Sequence, residues 1–438
     1  MDFDAFNLSR RALFGNAALL GLGAAVAPHM AFAKTAATAR FPNVTAFVDG
    51  YVAKRKVSGM LAALGFGVEK ATVIARGTEG FNDRDAQSLD TLYRIYSMTK
   101  PVTGMAAMTL IDAGKLGLDQ PLSDILPKFA KMQVQVTPDG SITDLRPAKT
   151  AITIRHLLTH SAGLGYTIIQ KGPLKAAYEA AGVIPGQVSK IPIPGLDRGR
   201  AVGSLALFAD RLAELPLVYE PGTRWSYSVG LDVLGRVIEV VSGKPFDDFL
   251  EERLFGPLGM ASTGFQVAAK NIHRLATNYA VFGGMPLPID PAEASIFAEK
   301  PPFPAGGAGL VSSPRDYDRF LRMIANYGVL DGKRIMSERA IRTGTSNLLP
   351  PVVSTKGTFA NGAGFGAGGR VGLGEAAGTY GWGGAAGTVA LVDLKRGLRA
   401  GLYTQYMPSE AYPVHADFPV AVLADLKAMG SERRAQAI

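Results

Sequence analysis

Apolar positions recur along this chain in two different periods, and their order outlines a fold. Val44, Phe47, Val48, Tyr51 and Val52 form a helical stripe over 44–56. Two strand-like runs follow, 61–68 and 71–76, separated by Glu69-Lys70, and read as a hairpin. From Ser97 to Ala113 the pattern is helical again, with Val102, Met105, Leu110 and Ile111 on the apolar side and Pro101 tolerated in the first turn. Between about 115 and 300 the chain reads as helices and loops, clearest at 229–241 and 245–255, with a Pro- and Gly-punctuated stretch over 167–222 that suits the rim of a cleft. Ser313-Pro314 is a helix start, with Ser as N-cap and Pro at the first position, and Gly328 is its stop. Strand patterns return at 387–392 and 398–406, around a turn at 393–397, before a last helix near 418–429. Strands at both ends with helices between predict an α/β (α+β) fold. One sheet is built from both chain ends (about 42–114 and 301–438), with a mostly helical insertion (about 115–300).

Composition narrows the chemistry. The 438 residues are 47% hydrophobic and 19% charged, ample for a large core. The net charge of +9 comes from scattered Lys and Arg rather than a basic run, so no nucleic-acid partner is expected. The chain has no cysteine, which excludes disulfides, a thiolate nucleophile and Cys-based metal sites. Residues 1–33 read as a twin-arginine leader: Ser9-Arg10-Arg11-Ala12-Leu13-Phe14, a mild apolar stretch over 17–27, and a small-x-small site, Ala31-Phe32-Ala33, ahead of Lys34. The apolar run is short for a membrane span. The expectation is a periplasmic protein, residues 34–438, delivered by the twin-arginine export machinery and without stable membrane insertion; its oligomeric state is open.

Ser97-Met98-Thr99-Lys100 places a hydroxyl and an amine three residues apart where a helix begins, so both share one face. An amine there can take the serine proton, the arrangement of an acyl-transfer enzyme that uses no histidine. Alone the spacing is weak. Two further segments could complete it. Trp225-Ser226-Tyr227-Ser228-Val229 follows the turn Glu220-Pro221-Gly222 and precedes a helix, so Tyr227 could face a cleft or be a buried aromatic. Gly381-Trp382-Gly383-Gly384-Ala385 precedes a strand, where glycines either admit a substrate close to backbone N–H groups or mark a bulge.

In this order the three segments resemble the serine β-lactamase and penicillin-binding protein superfamily, and most closely its family VIII carboxylesterases, which are similar to class C β-lactamases. Supporting matches are Tyr93-Arg94-Ile95-Tyr96, Gly114 to Asp119, His156 to Leu164, and Ala305-Gly306-Gly307-Ala308-Gly309-Leu310. The resemblance spans about 42–430. It implies a β-lactamase-like fold with an antiparallel sheet. It also implies Ser97 as nucleophile, Lys100 and Tyr227 sharing the general-base role, and an oxyanion hole from the backbone N–H groups of Ser97 and Ala385. No cofactor or metal is implied.

Two departures bear on the substrate. The strand motif of β-lactamases usually begins with Lys, which attracts a substrate carboxylate; here Trp382 stands there. Their Tyr motif usually ends in Asn, which bonds the substrate amide; here Val229 stands there. Val229, Trp382, Gly383 and Gly384 are therefore the expected substrate-binding residues, and the expected substrate is a small uncharged ester with a short or medium acyl group. Weak cephalosporin hydrolysis is compatible with the retained acylation machinery. The competing readings are a β-lactamase, D-amino-acid peptidase or other amide hydrolase on the same site, and a non-catalytic cell-wall ligand-binding protein. His156 and His160 have i, i+4 spacing but lack the intervening Glu and a third ligand, so a structural helix end is expected rather than a metal site. No Gly-x-Ser-x-Gly segment occurs, which argues against an α/β-hydrolase fold. The glycines of 362–374 do not follow a strand in a βαβ unit, so a dinucleotide site is not expected.

Overall fold

A computed structural model describes residues 38–191 and 199–435; the expected leader over 1–33 lies outside the described residues. The elements that frame the site are, in chain order, α1 (Pro42–Ala53), β1 (Gly59–Phe66), β2 (Thr72–Gly77), α2 (Thr99–Asp112), α3 (Gly230–Ser242), α4 (Pro314–Ala325), β3 (Gly364–Phe365), β4 (Arg370–Val371), β5 (Thr379–Gly383), β6 (Val389–Asp393), β7 (Leu398–Tyr403) and α5 (Val414–Ala435). The strands form one seven-stranded antiparallel sheet in the order β3-β4-β5-β6-β7-β1-β2. The register of β1 on β7, with Leu61 opposite Tyr403 and Leu64 opposite Ala400, joins the two ends of the chain.

Period-2 alternation divides β1 between two cores. Met60, Ala62 and Leu64 pack with Val44 and Val48 of α1 and with Val414, Phe418 and Val422 of α5. Leu61 and Ala63 face the opposite layer, which contains α2, α3 and α4. A strand buried on both faces reads as the near-continuous apolar run seen in the sequence. The helix starting at Ser313 forms as expected: the Ser313 hydroxyl accepts from the Asp316 N–H at 3.2 Å.

Three local expectations change. The helix after Ser97 is not amphipathic, because Thr99 to Leu110 are all buried. It is the central helix of the molecule, enclosed all round. Gly104 on it presses against the Ala367 carbonyl, which would lie 2.1 Å from any Cβ. The region 115–300 also carries strands, notably the hairpin Asn278–Phe282 and Met285–Asp290, which pairs with Tyr406–Met407. Its alternation is broken by Pro286 and Pro288, which hid it from a periodicity reading. Finally, Gly381, Trp382 and Gly383 do precede a strand, β6, but themselves lie within strand β5, paired with Leu391, Ala390 and Val389.

Candidate active site

Ser97 sits in a single 3₁₀ turn, Tyr96–Met98, that feeds directly into α2. Tyr96 takes a left-handed backbone (φ 40°) that turns the chain from the short strand Tyr93–Arg94 into this helix entry. One turn on, Lys100 is fully buried. Its Nζ donates to Ser97 Oγ at 3.2 Å and to the Gly307 carbonyl at 2.6 Å. It also lies 4.5 Å from the Tyr227 ring centroid. Tyr227 comes in from the segment ahead of α3, and its hydroxyl donates to Ser97 Oγ at 2.7 Å. The hydroxyl therefore receives both expected base groups at once. Trp382 closes the circuit from β5: its indole N–H donates to the Tyr227 oxygen at 3.2 Å.

A second shell of contacts fixes these groups. Asp232, on the first turn of α3, is fully buried and accepts from the Gly307 N–H at 2.8 Å. The carboxylate thus grips one end of the peptide group preceding Gly307, while Lys100 bonds the Gly307 carbonyl that follows. Burial pushes the Asp232 carboxyl up to about 6, opposed by the Lys100 charge and the Gly307 N–H. Gly307 lies close against that carboxylate: a Cβ would meet Asp232 Oδ2 at 2.6 Å and force the Asp232 side chain to move. His160 packs tilted against Tyr227, with ring centroids 4.7 Å apart, and its Nδ1 accepts from the Ser228 N–H at 3.2 Å. Burial, reinforced by Lys100, holds its imidazole well below the usual histidine range, so it is neutral. His156 instead caps the helix Ile154–Leu158, its Nδ1 accepting from the Thr153 N–H at 3.2 Å. The two histidines thus serve separate structural ends.

The structure brings Ser97, Lys100, Tyr227 and Trp382 into one hydrogen-bonded cluster. Gly383, Gly384 and Ala385 continue from β5 into a turn that lies against the Ile95 carbonyl, two residues before Ser97. Gly384 is buried, and its N–H is used by the Thr388 carbonyl at 2.7 Å. Val229 is also fully buried, with its N–H on the Gly165 carbonyl at 3.2 Å. It therefore presents no surface to a substrate, and its effect is to withhold a polar anchor. Sequence reasoning missed Asp232, Gly307, Tyr166 and Phe359. Phe359 is 59% exposed and meets the Tyr227 ring edge-on at 5.9 Å. Tyr166 flanks the other side, its ring 5.7 Å from that of Tyr227. Asp232 carried a signal: an acid one residue inside an apolar helical run, with Leu231, Val233 and Leu234 around it. Phe359 carried none, because it lies in a loop.

The Beta-lactamase family profile matches residues 44–424. Protein Rv1367c of Mycobacterium tuberculosis is 38% identical over 266 residues, 60% of this chain and 62% of that protein, so the alignment spans under two thirds of that relative. Esterase EstB of Burkholderia gladioli is 31% identical over 390 residues, covering 83% of this chain and 89% of EstB. Among solved structures, EstCE1, described as a hydrolase with promiscuous acyltransferase activity, superposes with a TM-score of 0.70 at 25% identity, over 89% of this chain and 99% of EstCE1.

Proposed function

Starting from the chain's membership of the Beta-lactamase family of serine hydrolases and acyltransferases, we propose that it is a serine carboxylesterase acting on small uncharged esters through an acyl-enzyme on Ser97. The observation that carries this reading is the convergence of Lys100 Nζ and Tyr227 Oη on Ser97 Oγ, with an indole N–H where β-lactamases place an ammonium. Trp382 gives its one donor to Tyr227, leaving an apolar face and no fixed cation for a substrate carboxylate. Phe359 adds exposed apolar surface beside it. Both favour an uncharged ester over an anionic β-lactam or peptide.

In the proposed reaction the Lys100–Tyr227 pair, treated as one unit, accepts the Ser97 proton while Oγ bonds to the ester carbonyl carbon. The developing oxyanion is held by the N–H groups of Ser97 and Ala385. Collapse breaks the carbon–oxygen bond to the alcohol, which leaves with the proton. A water then gives its proton to the same unit, attacks the acyl carbon, and releases a carboxylic acid and free Ser97. An alcohol can take the place of that water, which gives acyl transfer instead of hydrolysis. The leader over 1–33 extends the proposal to a periplasmic location.

The test is a side-by-side rate panel of p-nitrophenyl acetate and butyrate, nitrocefin and a D-alanyl peptide, with Ser97→Ala as control. Ester turnover that exceeds the others and vanishes in Ser97→Ala is expected. Faster nitrocefin turnover would move the assignment to amide chemistry, and full ester turnover by Ser97→Ala would remove Ser97 from the reaction.

A further inference from the structure

Behind the strand that carries Trp382 lies a histidine with no part in the proton chemistry. His415 is the second residue of α5, on the opposite face of the sheet from Ser97. Its Nε2 lies 2.9 Å from the Thr388 carbonyl oxygen. A carbonyl can only accept, so Nε2 carries the proton. The imidazole ring lies flat on Gly383, where a Cβ would sit 2.9 Å from Cε1. Burial, aided by Arg370 and opposed by the Thr388 carbonyl and Glu410, keeps the imidazole below the usual histidine range. One ring therefore touches the turn 383–388 at its start, Gly383, and at its end, Thr388.

We infer that His415 is a positioning residue for the oxyanion hole: it sets the direction of the Ala385 N–H by fixing the turn from behind. The inference rests on the assignment of Ala385 given above. Its physical core is the planarity of the peptide bond. The Gly384 carbonyl and the Ala385 N–H belong to one trans peptide unit and point in opposite directions. A group that fixes that carbonyl aims that N–H. The Gly387 N–H donates to the Gly384 carbonyl at 3.1 Å, and His415 holds the end of the same turn, because the Thr388 carbonyl it bonds accepts the Gly384 N–H at 2.7 Å. On the far side the Ala386 carbonyl accepts from the Tyr406 N–H at 3.1 Å. The residues on both sides of Ala385 are thus held by the same end of the molecule, through Tyr406 and α5. Gly384 has no room to swing, since a Cβ there would be 2.3 Å from both the Ile95 carbonyl and Thr388 Oγ1. A small change of tilt therefore falls on the Ala385 N–H.

The experiment compares His415→Ala and His415→Gln with wild type in the full chain, using p-nitrophenyl butyrate turnover and the rate of Ser97 labelling by a fluorophosphonate. An oxyanion donor acts in the transition state, so kcat carries the loss. Removal of a whole donor typically costs about 100- to 1,000-fold in kcat, so a misdirected one should cost about 10- to 100-fold. His415→Ala should lose that factor in kcat, with KM within about twofold, and should slow labelling in parallel. Gln carries an amide N–H that can reach the Thr388 carbonyl, so His415→Gln should recover to within about fivefold of wild type. Unchanged kcat in His415→Ala overturns the inference. So does a loss shared by kcat, KM and melting temperature that Gln does not rescue, which marks a purely structural histidine. If wild type is neither labelled nor active on esters, the proposed function fails and takes the inference with it; labelling and ester turnover in wild type that do not respond to His415 leave that function standing and remove the inference alone.

Discussion

Arg94 and Lys100 are six residues apart on either side of Ser97, and both are fully buried cations. Their surroundings differ in kind. Arg94 donates through Nε to Asp290 at 2.6 Å, through Nη1 to Gln405 at 3.2 Å and to the Ala276 carbonyl, and through Nη2 to the Asp290 carbonyl at 2.9 Å and Ser295 at 3.1 Å. All five guanidinium N–H groups are spent. Arg399 is the same kind of site, with Asp318 at 2.7 Å and backbone carbonyls at 67 and 69. Among the described residues, Lys100 meets no carboxylate directly. It faces one carbonyl, one hydroxyl and the rings of Tyr227 and Tyr166, and its carboxylate, Asp232, is reached across the Gly307 backbone. A guanidinium cannot release a proton in a protein, and a saturated ion pair has no reason to. An amine held by neutral acceptors next to a hydroxyl can. Burial alone therefore does not distinguish the cation proposed to exchange a proton with Ser97 from a structural one; the identity of the partners does.

The sharpest way to break this comparison is to exchange the roles. Lys100→Arg keeps the charge and removes the exchangeable amine, and Lys100→Met removes both. Each should lower ester kcat by about 10³-fold or more, within the range typical of a lost general base acting as part of a unit. Retention of even a tenth of wild-type kcat by Lys100→Arg would mean that charge, and not proton exchange, is what Ser97 needs. The reverse exchange acts on stability. Arg94→Met strands the buried Asp290 carboxylate and should destabilise the fold by about 3–5 kcal/mol, read as a large drop in melting temperature. A folded Arg94→Met of near-native stability would show that the pair contributes little.

Asp232 tests the middle of the comparison. Its carboxyl, raised to about 6 in the folded protein, lies above an unfolded aspartate at about 3.9. As pH rises the unfolded chain loses this proton first, so stability falls between about pH 4 and pH 6 and stays lower above that, by on the order of 2–3 kcal/mol. Asp232→Asn does not titrate, yet its Oδ1 can still accept the Gly307 N–H. The melting temperature of Asp232→Asn relative to wild type should therefore rise between pH 4.5 and pH 7.5. Activity should move the other way, with kcat falling several-fold because Lys100 loses its compensating charge. A melting difference that is flat with pH would mean that Asp232 is not the titrating group.

How much of this was legible in the sequence follows from range. Ser97 and Lys100 sit one helical turn apart, so local spacing alone places them together. The hairpin of β1 and β2 and the Ser313 cap were equally local. Tyr227 and Trp382 entered through a resemblance, because no periodicity in the chain says that residues 130 and 285 positions after Ser97 return to it. Val229 is expected at the pocket surface but is buried, because a motif position gives identity and not burial. The hairpin over 278–290 was lost because its prolines break the alternation that marks a strand, although on its exposed edge they do no harm. Phe359 was out of reach for a different reason. It comes from a loop whose shape is set by side-chain bonds such as Thr355 to the Ala363 carbonyl at 2.5 Å and Thr358 to the Thr355 carbonyl at 2.7 Å.

The smallest expected effect lies at that loop and carries the comparison outward from buried to exposed. Phe359 is more than half exposed, so cutting it to Ala removes little packing and should leave the melting temperature within about 1–2 °C of wild type, as a surface change does. What it removes is apolar area beside the Tyr227 edge, where the proposed substrate would rest. Such contacts persist from the bound ester to the transition state, so they act as uniform binding. Phe359→Ala should therefore raise KM for p-nitrophenyl butyrate about three- to tenfold, worth roughly 1 kcal/mol of apolar contact, while kcat holds. The effect should shrink for p-nitrophenyl acetate if the acyl chain is what rests there, and should be equal for both esters if the nitrophenyl group does. That contrast assigns the exposed aromatic to the acyl or the alcohol side of the site, and an unchanged KM for both would remove Phe359 from substrate contact.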